Sequence, residues 1–132
     1  MKTKKIWANL CSADLSATDR FYEAIGFNNN NQSGTPGIAS FSFGEAGFII
    51  NFFDKDRFAA NSGQEISEIS SGHEILFSLS AGSREEVDQW PARIRSAGGT
   101  VYIEPVDYMG GYNMAFADPD GHKFNVFYME GM

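Results

Sequence analysis

The chain has 132 residues, 42% hydrophobic and 20% charged, and its 17 acidic against 10 basic side chains give a formal net charge of −7. This is the composition of one globular domain whose core needs no disulfide or structural metal, and it argues against a disordered or membrane-spanning chain. No basic stripe is present, so nucleic acid is not an expected partner, and the acidic surface reads as solubility.

Residues 4–11 alternate into two faces, with Ile6, Ala8 and Leu10 on one and Trp7, Asn9 and Cys11 on the other. That is the pattern of a first strand with a core face and a partly polar face. The basic lead-in lacks the long apolar stretch of a signal peptide. Cys11 stands alone, which rules out an internal disulfide, fits a cytoplasmic location and reads as a small buried hydrophobe. Asp14 opens a helix with Leu15, Phe21, Tyr22 and Ile25 on its apolar stripe, and Gly26 stands where a left-handed cap belongs. Phe27 starts a short strand, residues 28–37 form a polar loop, and residues 38–43 and 47–53 are two strands around a tight turn. The run 47–53 is the longest apolar stretch, yet it is too short for a bilayer and Asn51 interrupts it. Residues 54–61 can form a short helix, and the Ser-, Glu- and Gly-rich stretch 62–72 reads as a crossover.

The second half restates the first. Residues 73–80 form a strand. Ser83 and Glu86 form a capping box ahead of a helix with Val87, Trp90, Ile94 and Ala97 on its buried stripe. Pro91 lies in that stripe and should kink or split the helix. Strands follow at 100–104, 112–117 and 123–129, with Gly110-Gly111 loosening the loop before the penultimate one. Asp118-Pro119-Asp120-Gly121 is turn chemistry, and His122 reads as an exposed turn residue. The order is β-α-β-β-β, crossover, β-α-β-β-β: an α+β fold of two tandem modules, about 4–61 and 73–132. One helix cannot cover both faces of a four-stranded sheet, so the helix-bearing faces become core. The opposite faces are expected to form a curved mixed sheet around a central cup.

The spaced pattern Asn9-Leu10, Asp14-Leu15, Phe21-Tyr22, Gly26-Phe27, later Phe116 and Asp118-Pro119-Asp120-Gly121-His122, resembles the vicinal-oxygen-chelate superfamily of glyoxalases, extradiol dioxygenases and bleomycin-type resistance proteins. Ser83-Arg84-Glu85-Glu86-Val87-Asp88 with Ala97-Gly98-Gly99-Thr100 is similar to the second helix of its glyoxalase-like bacterial members. The resemblance spans essentially the whole chain and implies a single glyoxalase-like domain, often dimeric. In metal-dependent members it implies His or Glu ligands on cup-facing positions of four strands. Those positions fall here on Trp7 or its neighbour Asn9, on Asn51, on Leu76 with Glu74 beside it, and on Asn125. Amide oxygens bind zinc, nickel or iron poorly, so no metal and no catalytic residue is assigned, and Glu74 and His73 are the ligands an atypical site would use.

No other catalytic motif is present. The cup is expected to offer Trp7, Phe53 and Phe127 beside Asn9, Asn51 and Asn125, together with Glu74 and Leu76. Apolar walls with a few placed amides suit a small organic ligand. The expected function is metal-free binding of such a molecule by a cytoplasmic homodimer. The alternative is a nickel-, zinc- or iron-dependent lyase, isomerase or dioxygenase with an unusual site.

Overall fold

The computed structural model describes residues 1–64, 72 and 74–132, so most of the expected crossover, and His73, lie outside the described residues. The chain divides into two units, Met1–Ser67 and Glu68–Met132. Unit one contains β1 (Ala8–Cys11), α1 (Leu15–Ala24), β2 (Asn28–Asn29), β3 (Ile38–Phe43), β4 (Phe48–Phe53) and α2 (Lys55–Ser62). Unit two contains β5 (Leu76–Ser80), α3 (Arg84–Ser96), β6 (Thr100–Tyr108), β7 (Gly111–Ala117) and β8 (Lys123–Tyr128). Each unit holds one four-stranded mixed sheet, ordered β1-β4-β3-β2 in the first and β5-β8-β7-β6 in the second. In both, the outer parallel pair is β1 with β4 or β5 with β8, and the other pairs are antiparallel.

The helices form where the local chemistry starts and stops them. Asp14 caps α1 by accepting from the Ala17 amide at 3.1 Å, and Ser83 caps α3 by accepting from the Glu86 amide at 3.1 Å. The return arm of this second cap goes to the amide of Gly82, not of Ser83: Glu86 Oε2 accepts from it at 2.6 Å. Both helices end on a glycine with positive φ, Gly26 at 96° and Gly98 at 94°, conformations a β-carbon would strain. The amides of Phe27 and Gly99 then reach back to the carbonyls of Tyr22 and Ile94, which satisfies the helix ends.

Each helix covers one face of its sheet with aromatic rings. In unit one, Tyr22 is fully buried, with ring centroids 5.3, 5.7 and 4.9 Å from Phe41, Phe43 and Phe52. In unit two, Trp90 stacks on Phe116, and Phe116 on Phe124 at 5.1 Å. Each fully buried ring contributes about 1.5–3 kcal/mol of transfer free energy, so these clusters anchor both layers. Two surface ion pairs, Arg84–Asp107 and Arg95–Glu104, run from α3 to β6 and add little.

Several expectations are corrected. Ile6 is 81% exposed, because pairing begins only at Ala8 opposite Ile50. Pro91 sits buried inside an unbroken α3, at a cost of one backbone donor. β6 runs on to Tyr108 instead of ending at residue 104, and its register shifts twice, between Val101 and Ile103 and between Ile103 and Val106. Gly110-Gly111 does not loosen a loop. Tyr108 pairs with Gly111 across a two-residue turn in which Met109 and Gly110 have φ of 48° and 79°, the conformation hairpins favour. His122 is 8% exposed, not a surface turn residue. The strand expected from residue 73 begins at Leu76, leaving Glu74 exposed ahead of it.

Two stability predictions follow from this packing. A β-carbon on Gly111 would collide with ring carbons of Phe127 and lie 2.7 Å from the Tyr128 carbonyl oxygen. Gly111→Ala is therefore expected to lower unfolding free energy by about 1–3 kcal/mol in urea denaturation; an unchanged midpoint would show that the ring yields freely. On α1, Asp19 Oδ1 is buried with no partner among the described residues. Burial, and then the Glu23 carboxylate, raise the Asp19 pKa above its ordinary 3.8. A raised folded pKa means the fold favours the protonated acid. The associated stability is present below the unfolded pKa and is lost as pH rises through the folded pKa. Asp19→Asn should therefore stabilise the protein at pH 7, with the gain shrinking as pH falls toward 4. Denaturation midpoints across that range check it, and a gain that grows on acidification would contradict it.

Candidate functional site

The faces opposite α1 and α3 carry the polar side chains. Strand alternation puts Ile50 and Phe52 under α1, so Asn51 and Phe53 point the other way. The register sets Asn9 beside Asn51 and Asn51 beside Ser40, which lines three polar residues across β1, β4 and β3. Ser40 Oγ donates to Asn51 Oδ1 at 2.7 Å, and Asn51 Nδ2 donates to Asn9 Oδ1 at 3.1 Å. The row continues outward, with Asn30 Nδ2 3.4 Å from Ser40 Oγ and Ser42 Oγ donating to Asn30 Oδ1 at 2.8 Å. Phe53 flanks the row, half-buried, with the Arg57 guanidinium 5.9 Å from its ring centroid. Trp7 precedes β1 and is 51% exposed, outside the paired strand.

The second sheet repeats the arrangement in register. Asn125 lies beside Ser78 on β5 and Ala115 on β7, as Asn51 lies beside Asn9 and Ser40. The equivalence extends to the strand ends, where the amides of Ser12 and Ala81 donate to the carbonyls of Phe53 and Phe127. Phe53 and Phe127 are thus matched positions, as are Asn51 and Asn125. Asn125 Nδ2 donates to Asn113 Oδ1 at 2.9 Å. Its own Oδ1 is buried and has no partner among the described residues. The physical reason is visible in the register: Ala115 stands where Ser40 supplies the hydroxyl in the first sheet. An unsatisfied buried amide oxygen costs about 1–3 kcal/mol.

Of the residues expected at the site, the structure joins Asn9 to Asn51, sets Phe53 on their face, and places Asn125 and Phe127 together on the matching face. Leu76 opens β5 opposite Lys123 and is 46% exposed, while Glu74 lies outside the strand. Sequence reasoning missed Ser40, Ser42, Ser78 and Asn113. The signal for the first two was present, since residues 38–43 place serine at alternate positions between apolar neighbours. Asn113 and Ser78 are recognisable only once the register is known.

Among the described residues, one group could bring several metal-ligating atoms together. Atoms of Asp118, Asp120 and His122 lie within 4.8 Å of one another. Asp118 Oδ1 also accepts from the amides of Asp120 at 3.0 Å and His122 at 2.9 Å, and the Asp118 amide donates to the His122 carbonyl. That bonding accounts for the turn between β7 and β8.

The family described as Glyoxalase/Bleomycin resistance protein/Dioxygenase superfamily matches residues 6–126, and the chain belongs to it. Among solved structures it is similar to a hypothetical protein, SA1046, from S. aureus, with 30% identity and a TM-score of 0.87 over 97% of this chain and 95% of that one. The fold is shared with a lactoylglutathione lyase from Agrobacterium tumefaciens, at 22% identity, TM-score 0.67, 97% of this chain and 95% of that one. It is also shared with the fosfomycin resistance protein FosX from Mesorhizobium loti, at 14% identity, TM-score 0.68, 97% of this chain and 93% of that one. No curated protein matches. Among the described residues no helix is long and apolar enough to cross a membrane.

The amide row carries its own prediction. Asn51→Leu would strip Asn9 and Ser40 of their shared partner, and Ser40 is 8% exposed. The expected loss is about 1–3 kcal/mol of unfolding free energy, and a neutral result would mean that water replaces the amide without cost.

Proposed function

We propose that the chain binds a small organic molecule on a sheet face opposite its helix, α1 in one unit or α3 in the other, without a resident metal. The observation that supports this is the donor set at the strand positions where metal-dependent relatives would hold their ligands. Those positions carry Trp7 or Asn9, Asn51, Leu76 and Asn125, none of them an imidazole or a carboxylate. Asn51 uses its oxygen on Ser40 and its nitrogen on Asn9, so a cation would have to break bonds already made. Neutral amide oxygens hold nickel, zinc or iron weakly, and Glu74, exposed before β5, is one carboxylate at the margin. The residues at those strand positions therefore do not fit a resident transition metal. A lactoylglutathione lyase and a fosfomycin resistance protein share the fold, and both names refer to small molecules.

What these faces can do is recognise. On the first sheet half-buried Phe53, and on the second half-buried Phe127, gives an apolar wall, and the amides and serines beside each give directional hydrogen bonds. The same reading takes the chain as a homodimer, for which Tyr102, Val106 and Tyr108, exposed along β6, offer apolar surface.

Metal analysis of protein purified without chelator is expected to find well below one equivalent of nickel, zinc or iron. A full equivalent that disappears when Glu74 or His73 is replaced by alanine would establish the metal-dependent alternative. In parallel, aromatic library compounds should quench Trp7 fluorescence, with Trp7→Phe separating that signal from Trp90.

A further inference from the structure

The two sheets hold the same amide in two different states. In the first, Asn51 has a donor for its oxygen, Ser40 Oγ at 2.7 Å, and an acceptor for its nitrogen, Asn9 Oδ1 at 3.1 Å. In the second, the nitrogen of Asn125 is satisfied by Asn113 Oδ1 at 2.9 Å, whereas its oxygen is buried and lacks a donor among the described residues. Of its two register neighbours, Ser78 on β5 makes no bond to it, and Ala115, 3% exposed and in the register position of Ser40, has no hydroxyl to give. A folded chain rarely keeps a buried acceptor unpaired unless something outside the chain completes it.

We propose that the ligand completes it. On this inference, which rests on the small-molecule reading above, the ligand is a neutral molecule that directs an O–H or N–H at Asn125 Oδ1 and lays an apolar body against Phe127. The donor takes the place that the Ser40 hydroxyl fills in the first sheet. The Asn125 side chain is only half-buried, and its terminal torsion is broad, so a small turn of the carboxamide presents the oxygen to an arriving group.

The charge class follows from the neighbours. Lys123 lies on the same face of β8, two residues or about 7 Å along the strand, with its ammonium donating to the Gly121 carbonyl at 2.6 Å. The ammonium disfavours a cationic ligand on this face, and an anionic group, which it would attract, still brings only acceptor oxygens to Asn125 Oδ1. A neutral donor meets neither penalty, and it satisfies the Asn125 oxygen that the described residues leave open.

The test uses the intact protein and four matched probes: 2-naphthylmethanol, its methyl ether, 2-naphthoate and 2-naphthylmethylammonium, with dissociation constants from ligand-observed NMR. The alcohol should bind the wild type about threefold to tenfold more tightly than the ether, the worth of one neutral hydrogen bond. Both charged probes should bind more weakly than the alcohol. Ala115→Ser supplies the missing hydroxyl from within the chain. It should raise the thermal midpoint and erase the preference for the alcohol over the ether. Asn125→Leu should also erase that preference; because it removes the donor to Asn113 Oδ1 as well, its thermal midpoint should fall, and only its alcohol-to-ether ratio is read. If Ala115→Ser disturbs the packing and lowers the midpoint, the Asn125→Leu arm still decides. Equal binding of alcohol and ether, a charged probe that binds best, or a preference that survives Asn125→Leu would each overturn the inference while leaving small-molecule binding intact. If no probe binds the wild type, the binding reading fails and this inference fails with it.

Discussion

Everything on these two sheets depends on how few surfaces a single helix can cover. The rings of Phe41, Phe43 and Phe52 gather under Tyr22, and Phe116 and Phe124 stack beneath Trp90. That anchoring is non-directional and strong, and it commits one face of each sheet to the core. The other face is not covered in this way, although in the first unit α2 reaches it at Phe53 through Arg57. Strand alternation gives it the intervening residues, so its chemistry is decided by every second position of β1, β3 and β4, and of β5, β7 and β8. Amides and hydroxyls occupy those positions without weakening the core, because they share no face with it.

That division explains what was legible in the sequence. Periodicity and capping residues are local signals, and they located both main helices and most strands: Asp14 and Ser83 begin the helices, and Gly26 and Gly98 end them. The oddity of Asn51 within an apolar strand and of Asn125 between Phe124 and Val126 was also local, so the centres of both polar faces could be named. Partners are a different matter. Ser40, Ser78, Ala115 and Asn113 acquire meaning only through register, which links strands far apart in sequence. The misreadings share that origin. Ile6 fits the alternating pattern, yet pairing starts at Ala8, so an apolar residue in phase with the core has nothing to pack on. Gly110-Gly111 looked like slack because glycine suggests freedom. Its second member is instead required by the Phe127 ring lying against it.

The same geometry bears on catalysis. A metal-dependent active site concentrates anionic or imidazole ligands, which repel one another or demand protons when no cation is present. The first sheet has no such tension. Its polar row is neutral, and each member from Ser42 through Asn30, Ser40 and Asn51 to Asn9 is bonded to the next. Such a row is stable on its own and rigid, with little to gain by taking up a cation. It suits a wall that defines shape and orients a guest more than a centre that polarises one.

The second sheet departs from that economy at one atom. Duplication lets two similar sheets carry unequal burdens, since a fold held by one well-satisfied polar face can tolerate an unsatisfied group on its counterpart. Ala115 in place of a serine removes a single hydroxyl, and the consequence is an acceptor on Asn125 that no described residue serves. Stability alone would favour restoring the hydroxyl, because the change is small and the matching position in the first sheet already has it. Proteins often leave such improvements unmade where a strained or unpaired group is used in recognition. The asymmetry between Ser40 and Ala115 is therefore more informative than either residue alone. It separates a face whose polar row is bonded from end to end from one that keeps an acceptor open among the described residues.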